Sequence, residues 1–293
     1  MRRQRAIDRP DLALERRATT FNEMNEHIVV SGSAQIHASA SGKGRPVIFL
    51  HAGVADSRMW TSEMEATAHG HRAIAYDRRG FGGTDHAEEA YSQVCDLIAV
   101  QESLGGTSAA VLIGCSQGSR IALDVALAHP DRVAGLVLIS PAVSGVSPGE
   151  IPATAQALIT KLETAEERGD LDLANALEAR LWLDGPLEAE NRVSGAPRAL
   201  FLDMNGIALR AKVKGVEQQP PSAFDRLGTI AAPTLLVCGD LDFPHLQARS
   251  RWLAHNIPRA REIVIGGVAH LPSLEQPAEM ASLVSEFLRM LAT

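Results

Sequence analysis

At 293 residues, 45% of them hydrophobic, the chain is long enough to bury a sizeable core, as one large α/β domain or two small ones. Its formal net charge of −7 argues against nucleic-acid and membrane-surface partners, both of which select basic patches. Its three cysteines, Cys95, Cys115 and Cys238, lie far apart with no CxxC or Cys/His spacing, which argues against a zinc site and fits a reducing, cytoplasmic setting.

Residues 1–26 read as a charged arm. Arg2, Arg3 and Arg5 are followed by Asp8, Asp11 and Glu15, which suits neither a secretory signal nor a transit peptide. No apolar run approaches the length of a membrane span. From about residue 28 short apolar runs alternate with longer amphipathic ones. Segments 27–30 and 34–40 fit an antiparallel hairpin at one sheet edge. Runs at 47–50, 72–76, 109–113, 134–139, 234–238 and 262–265 are continuously apolar, as strands buried on both faces of a parallel sheet are. Helical patterns at 57–68, 92–104, 117–129, 246–256 and 278–291 lie between or after them, so the expected fold class is α/β, a doubly wound sheet. The alternation breaks over 143–225, where 153–167, 171–182 and 196–214 read as consecutive helices. An all-helical stretch inserted in such a sheet packs most simply over one end as a cap. The expected organisation is therefore a core of 27–142 and 226–293 with a cap of 143–225.

The chemistry is expected at the carboxyl ends of the parallel strands. After 109–113 stands Gly114-Cys115-Ser116-Gln117-Gly118, with a helical run following. In the context strand, G-x-S-x-G, helix, this motif holds a serine on a tight turn with its hydroxyl exposed, and small residues two before and two after let strand and helix pass closely. A serine so placed can attack a carbonyl when a base takes its proton. After 234–238 come two acids, Asp240 and Asp242. After 262–265 comes His270. The order Ser, Asp, His is the one expected of this elbow.

Several features in that order resemble the α/β-hydrolase family over about residues 28–291: HAG at 51–53, DRRGFGG at 77–83, GCSQG at 114–118, GDLD at 239–242 and AHLPSLEQP at 269–277. The resemblance implies a mostly parallel eight-stranded sheet with helices on both faces and a helical lid inserted before the strand that delivers the acid. It implies Ser116 as nucleophile, His270 as base and, by its spacing from the glycine, Asp242 as the orienting acid, with Asp240 the fallback. It implies an oxyanion hole from the backbone N–H of Gln117 and of Gly53, with Val54 the alternative if the loop is shifted; Ala52 departs from the usual glycine there. DRRG at 77–80 becomes a structural turn in which Asp77 and Arg78 tie loops together.

Other residues admit plainer readings. Cys115 packs into the sheet, and His51 holds the oxyanion loop by a hydrogen bond. His69 and His71 belong to a helix end, with no third ligand in sequence. His245 follows Asp242 too closely to replace His270, and Glu275 steadies the last loop. Val54 and the cap residues Trp182, Phe201 and Met204 are candidates to line a substrate pocket.

A serine nucleophile disfavours the branches that attack with aspartate and favours acyl chemistry, with no metal and no cofactor. The expectation is an enzyme that hydrolyses a carboxylic ester or lactone of a small, mostly apolar molecule. The alternatives are a carbon–carbon bond hydrolase of the meta-cleavage-product type, which the cap and the 269–277 tail resemble, an acyltransferase or perhydrolase, and a slow-turnover ligand receptor.

Overall fold

The computed structural model describes residues 23–146, 149–212 and 214–292. Eight strands form one sheet: β1 (Asn25–Ser31), β2 (Ala34–Ser41), β3 (Pro46–Leu50), β4 (Arg72–Tyr76), β5 (Ala110–Cys115), β6 (Val133–Ile139), β7 (Thr234–Gly239) and β8 (Ala260–Ile265). Their order across the sheet is β1-β2-β4-β3-β5-β6-β7-β8. β1 and β2 form the expected antiparallel hairpin, β2 pairs antiparallel to β4, and every later pairing is parallel. The expected arm boundary at residue 26 falls two residues late, because Asn25 and Glu26 pair with Ala40 and Ser39 in β1. Residues 1–22 lie outside the described residues.

The continuous apolar runs are explained by the strand period of two. Along β3, Val47 and Phe49 enter one apolar cluster, Ile48 and Leu50 the other. Helices α1 (Thr61–Thr67) and, at the end of the chain, Pro277–Met290 cover the first face through Met64, Met280, Val284 and Phe287. Helices α2 (Gln93–Val100) and α3 (Gln117–Ala128), with the later Pro244–Asn256, cover the second through Leu97, Ile121 and Leu253. β8 departs from the expectation of burial on both faces. It is the sheet's edge, and Val264 is 51% exposed.

Between β6 and β7 the chain forms α4 (Ala153–Glu167), α5 (Leu171–Glu178) and α6 (Ala196–Arg210). α6 is shorter than its pattern suggested. It ends at Arg210, and Val216–Glu217 instead bridges Ala90–Tyr91 in a small parallel ladder. α5 runs directly into a π-helical turn, Ala179–Leu183. Leu183, Phe201 and Met204 are fully buried in the same cluster as Ala52 and Val54 of the loop after β3. Burying each such side chain is worth about 1.5–3 kcal/mol, enough to fix α6 on the sheet's carboxyl end. After β7 comes α7 (Pro244–Asn256), and after β8 come α8 (Pro272–Glu275) and α9 (Pro277–Met290).

Candidate active site

The strand order decides which loops meet. β3 and β5 are neighbours in parallel register, Leu50 opposite Gly114, so the loop 51–54 lies beside the turn that follows β5. At that turn Ser116 has φ 53° and ψ −111°, a left-handed conformation that a residue other than glycine adopts only at a cost. The two flanking glycines make the turn possible. A Cβ on Gly114 would come within 2.4 Å of the Gly118 backbone, and one on Gly118 within 2.1 Å of the Leu50 carbonyl oxygen. The strand–elbow–helix expected from the motif is thus present, with Ser116 half-buried at the amino end of α3.

Asp242 follows β7 and His270 follows β8, and both are nearly fully buried, at 2% and 3% exposure. His270 Nδ1 lies 2.8 Å from Asp242 Oδ2, while Asp242 Oδ1 accepts the Phe243 N–H at 2.8 Å. Asp240 is exposed and accepts the Gly267 N–H at 2.7 Å, so it pins the loop that leads to His270 rather than touching the imidazole. Cys115, one residue before Ser116, has its Sγ 3.7 Å from the His270 carbonyl oxygen, which brings the histidine loop over the end of β5. Burial holds the Cys115 thiol well above its ordinary pKa, as befits a packed side chain rather than a thiolate.

The histidine loop is held from two sides. Glu275 accepts the Ala269 N–H at 3.0 Å and pairs with Arg192, the loop-steadying part expected of it. Arg192 belongs to the segment between α5 and α6. It also donates to the carbonyl oxygens of Leu183 at 2.9 Å and Gly267 at 3.0 Å. Trp182, on the π-helical turn, packs its ring 4.7 Å from that of His270 and 5.0 Å from that of Phe243. π-Turns recur at functional sites because the extra residue re-aims a side chain.

The other side of the site is made of backbone. His51 Nε2 accepts the Arg78 N–H at 3.0 Å, so the proton sits on Nδ1, which donates to the Ala52 carbonyl at 2.7 Å. Burial first, and the Arg78 charge second, depress the His51 pKa well below its usual value and keep the ring neutral. The expected structural part for His51 is the geometry found. Asp77 accepts the N–H groups of Ser57 and Gly83, and Arg78 reaches both the Ala52 carbonyl and Gln117, so this segment ties loops together as expected. Gly53 and Gln117 are adjacent: a Cβ on Gly53 would come within 2.8 Å of the Gln117 amide carbon.

The alpha/beta hydrolase family profile matches residues 47–283. This chain belongs to the alpha/beta hydrolase family. Among relatives of this hydrolase, 2-hydroxymuconate semialdehyde hydrolase of Pseudomonas sp. (strain CF600) is 30% identical over 276 residues, 91% of this chain and 94% of its own. Pimeloyl-[acyl-carrier protein] methyl ester esterase of Nitrosomonas europaea is 26% identical over 254 residues, 85% of this chain and 98% of its own. A thermophilic esterase from Thermogutta terrifontis shares the fold with a TM-score of 0.72 at 23% identity, covering 92% of this chain and 100% of that one.

Of the pocket candidates in the hydrolase, Val54, Phe201 and Met204 meet in one apolar cluster, and Trp182 packs against it. His245 stands in the first turn of α7 with its ring against Phe243. His69 closes the end of α1, its Nδ1 2.9 Å from the Glu65 carbonyl oxygen. Sequence reasoning missed Arg192, because an arginine between two helices of the inserted stretch carries no periodicity or motif.

Proposed function

We propose that this hydrolase cleaves a carboxylic ester or lactone of a small, mostly apolar molecule through an acyl-enzyme on Ser116. The observation that carries the reading is the left-handed Ser116 at the same carboxyl end of the sheet as a buried Asp242–His270 pair whose Nδ1 is occupied, so that Nε2 is the ring nitrogen assigned to the serine. In the proposed reaction His270 Nε2 takes the Ser116 proton as Oγ attacks the acyl carbon. Asp242 holds the ring in that tautomer and stabilises its charged form. The N–H groups of Gly53 and Gln117 receive the oxyanion. Collapse breaks the bond to the alkoxy leaving group, which departs with the proton from His270. Water, deprotonated by the same nitrogen, then adds to the acyl carbon, and collapse breaks the bond to Ser116 Oγ, which regains the proton from His270 as the carboxylic acid is released.

The helices α4–α6 act as the cap in this reading. Val54, Trp182, Phe201 and Met204 supply the apolar wall that selects a small substrate. In this reading the substrate is a free small molecule, the reaction needs no added cofactor, and a reducing, cytoplasmic setting suits the three unpaired cysteines. The 30% identity with 2-hydroxymuconate semialdehyde hydrolase supports a second reading, in which the bond cleaved by the same residues is carbon–carbon. A panel of p-nitrophenyl esters, lactones and vinylogous diketones, assayed with wild type and Ser116→Ala, tests both. We expect ester turnover in wild type and a fall of at least roughly 10⁴-fold in a folded Ser116→Ala. Full activity in that variant would remove the nucleophile. Turnover of the diketones alone would establish the second reading.

A further inference from the structure

Arg78 is 2% exposed, yet makes no ion pair among the described residues. Its neighbour Arg79 shows the ordinary solution: its guanidinium is matched by Asp96 at 2.8 Å and Glu89 at 2.6 Å. Arg78 instead donates through Nη2 to the Ala52 carbonyl at 3.0 Å and through Nη1 to Gln117 Oε1 at 2.9 Å, with its Cζ 4.5 Å from the centroid of the Phe81 ring. Burial lowers its pKa to about 10, so the charge persists at neutral pH. A buried cation without a carboxylate in hydrogen-bond contact is costly even with Glu217 in electrostatic reach, and such a cost is tolerated where the charge serves a developing anion.

The two acceptors are informative. The Ala52 carbonyl and the Gly53 N–H are the two ends of one planar peptide group. A guanidinium and the His51 Nδ1–H both pull on its oxygen, which polarises the peptide and makes its N–H a stronger donor. The second acceptor is the side chain of Gln117, whose own N–H is the other proposed oxyanion donor. Because a guanidinium only donates, Gln117 Oε1 must face Arg78, and the amide is thereby laid over Gly53.

We infer that Arg78 is a positioning residue for the oxyanion hole: one buried guanidinium aligns and polarises the Ala52–Gly53 peptide, fixes Gln117 beside it, and lends positive potential to the oxygen of the tetrahedral intermediate. This rests on the serine-hydrolase reading above. It assigns Arg78 a part in the transition state, beyond the tying of loops.

The test uses Arg78→Lys, Arg78→Gln and Arg78→Met with p-nitrophenyl butyrate as substrate and phenylboronic acid as a mimic that becomes a tetrahedral anion on the serine. Arg78→Met is expected to lose roughly 10–100-fold in kcat with KM changed less than about threefold, since the lost contribution acts on the anion and not on the bound ester. The Ki for phenylboronic acid should rise by the same factor. Arg78→Lys, which keeps the charge without the two-pronged geometry, should fall between wild type and Arg78→Gln. Circular dichroism and Tm separate folding failure from loss of function. Should Arg78→Met not fold, the graded order of Arg78→Lys and Arg78→Gln in kcat and Ki carries the test. Folded variants with wild-type kcat and Ki would overturn the inference, as would a loss of kcat without a matching rise in Ki. Failure of wild type to bind the boronate, with Ser116→Ala still active, would instead sink the nucleophile assignment.

Discussion

The two halves of the candidate site are built from different parts of the polypeptide. The proposed acid–base half consists of side chains: Asp242 and His270, steadied by Glu275 through the Ala269 N–H and crowded by Trp182. The proposed oxyanion half consists of peptide groups, at Gly53 and Gln117, beside the hydrogen bonds of His51 and Arg78. A side chain that works by its own chemistry can be named from its type and order in the chain. A backbone N–H has no identity of its own, so what can be read there is the set of side chains that hold it. The first half should therefore fail sharply when a functional atom is exchanged, and the second should fail gradually as its supports are altered.

The sharpest break is expected at the acid. In Asp242→Asn the Phe243 N–H keeps an oxygen at the Oδ1 position, which turns the NH₂ group towards His270 Nδ1. The ring must then accept there and carry its proton on Nε2, facing the serine that needs a base. We expect kcat to fall by roughly 10⁴-fold. Asp240→Asn keeps an acceptor for the Gly267 N–H at the protein surface, and its kcat should stay within about threefold of wild type. The reverse ranking, from steady-state kinetics of the two purified variants, would move the acid to Asp240.

This contrast follows what the sequence revealed. The strands, their apolar runs and the elbow were legible because burial on both faces and the glycine spacing leave direct marks: Gly114 and Gly118 stand where a Cβ would strike backbone. Asp242 was separable from Asp240 only by resemblance to the family's spacing; the structure separates them by burial, 2% exposure for one and a surface position for the other. Trp182 was legible as a residue of the inserted helices, but its packing on His270 depends on the π-turn at Ala179–Leu183, which no local preference announces. Arg192 and the oxyanion-side work of Arg78 were illegible for a common reason. Each acts on carbonyl groups distant in sequence, Gly267 for one and Ala52 for the other, and neither pairing has a period.

A smaller effect should come from the oxyanion half. In Gly53→Ala the added methyl group meets the amide end of the Gln117 side chain at 2.8 Å. That end can swing away, so Tm should shift little. Swinging away releases Gln117 from Arg78 and loosens both donors without deleting either. Deleting one donor typically costs about 10²–10³ in rate, so a displaced pair should cost roughly tenfold in kcat. A Gly53→Ala enzyme with full kcat would place the oxyanion elsewhere on the loop, at Val54.

The smallest effect on rate, and one that reads on stability instead, is expected at a buried acid of α1. Glu63 of α1 is fully buried, and burial pushes its carboxyl up to about 8, against a smaller opposing effect of Ser273 on α8. The folded state therefore holds a proton that the unfolded chain, titrating near 4.5, gives up. The stabilisation is fully present below the unfolded value and is lost as pH rises towards about 8, a decline on the order of a few kcal/mol. Glu63→Gln is neutral at every pH and removes that slope. Urea unfolding at pH 5 and pH 8.5 should show wild type losing more stability across the interval than Glu63→Gln, so that the difference between the two shifts in the variant's favour as pH rises. Parallel profiles for the two proteins would mean that Glu63 is ionised in the fold.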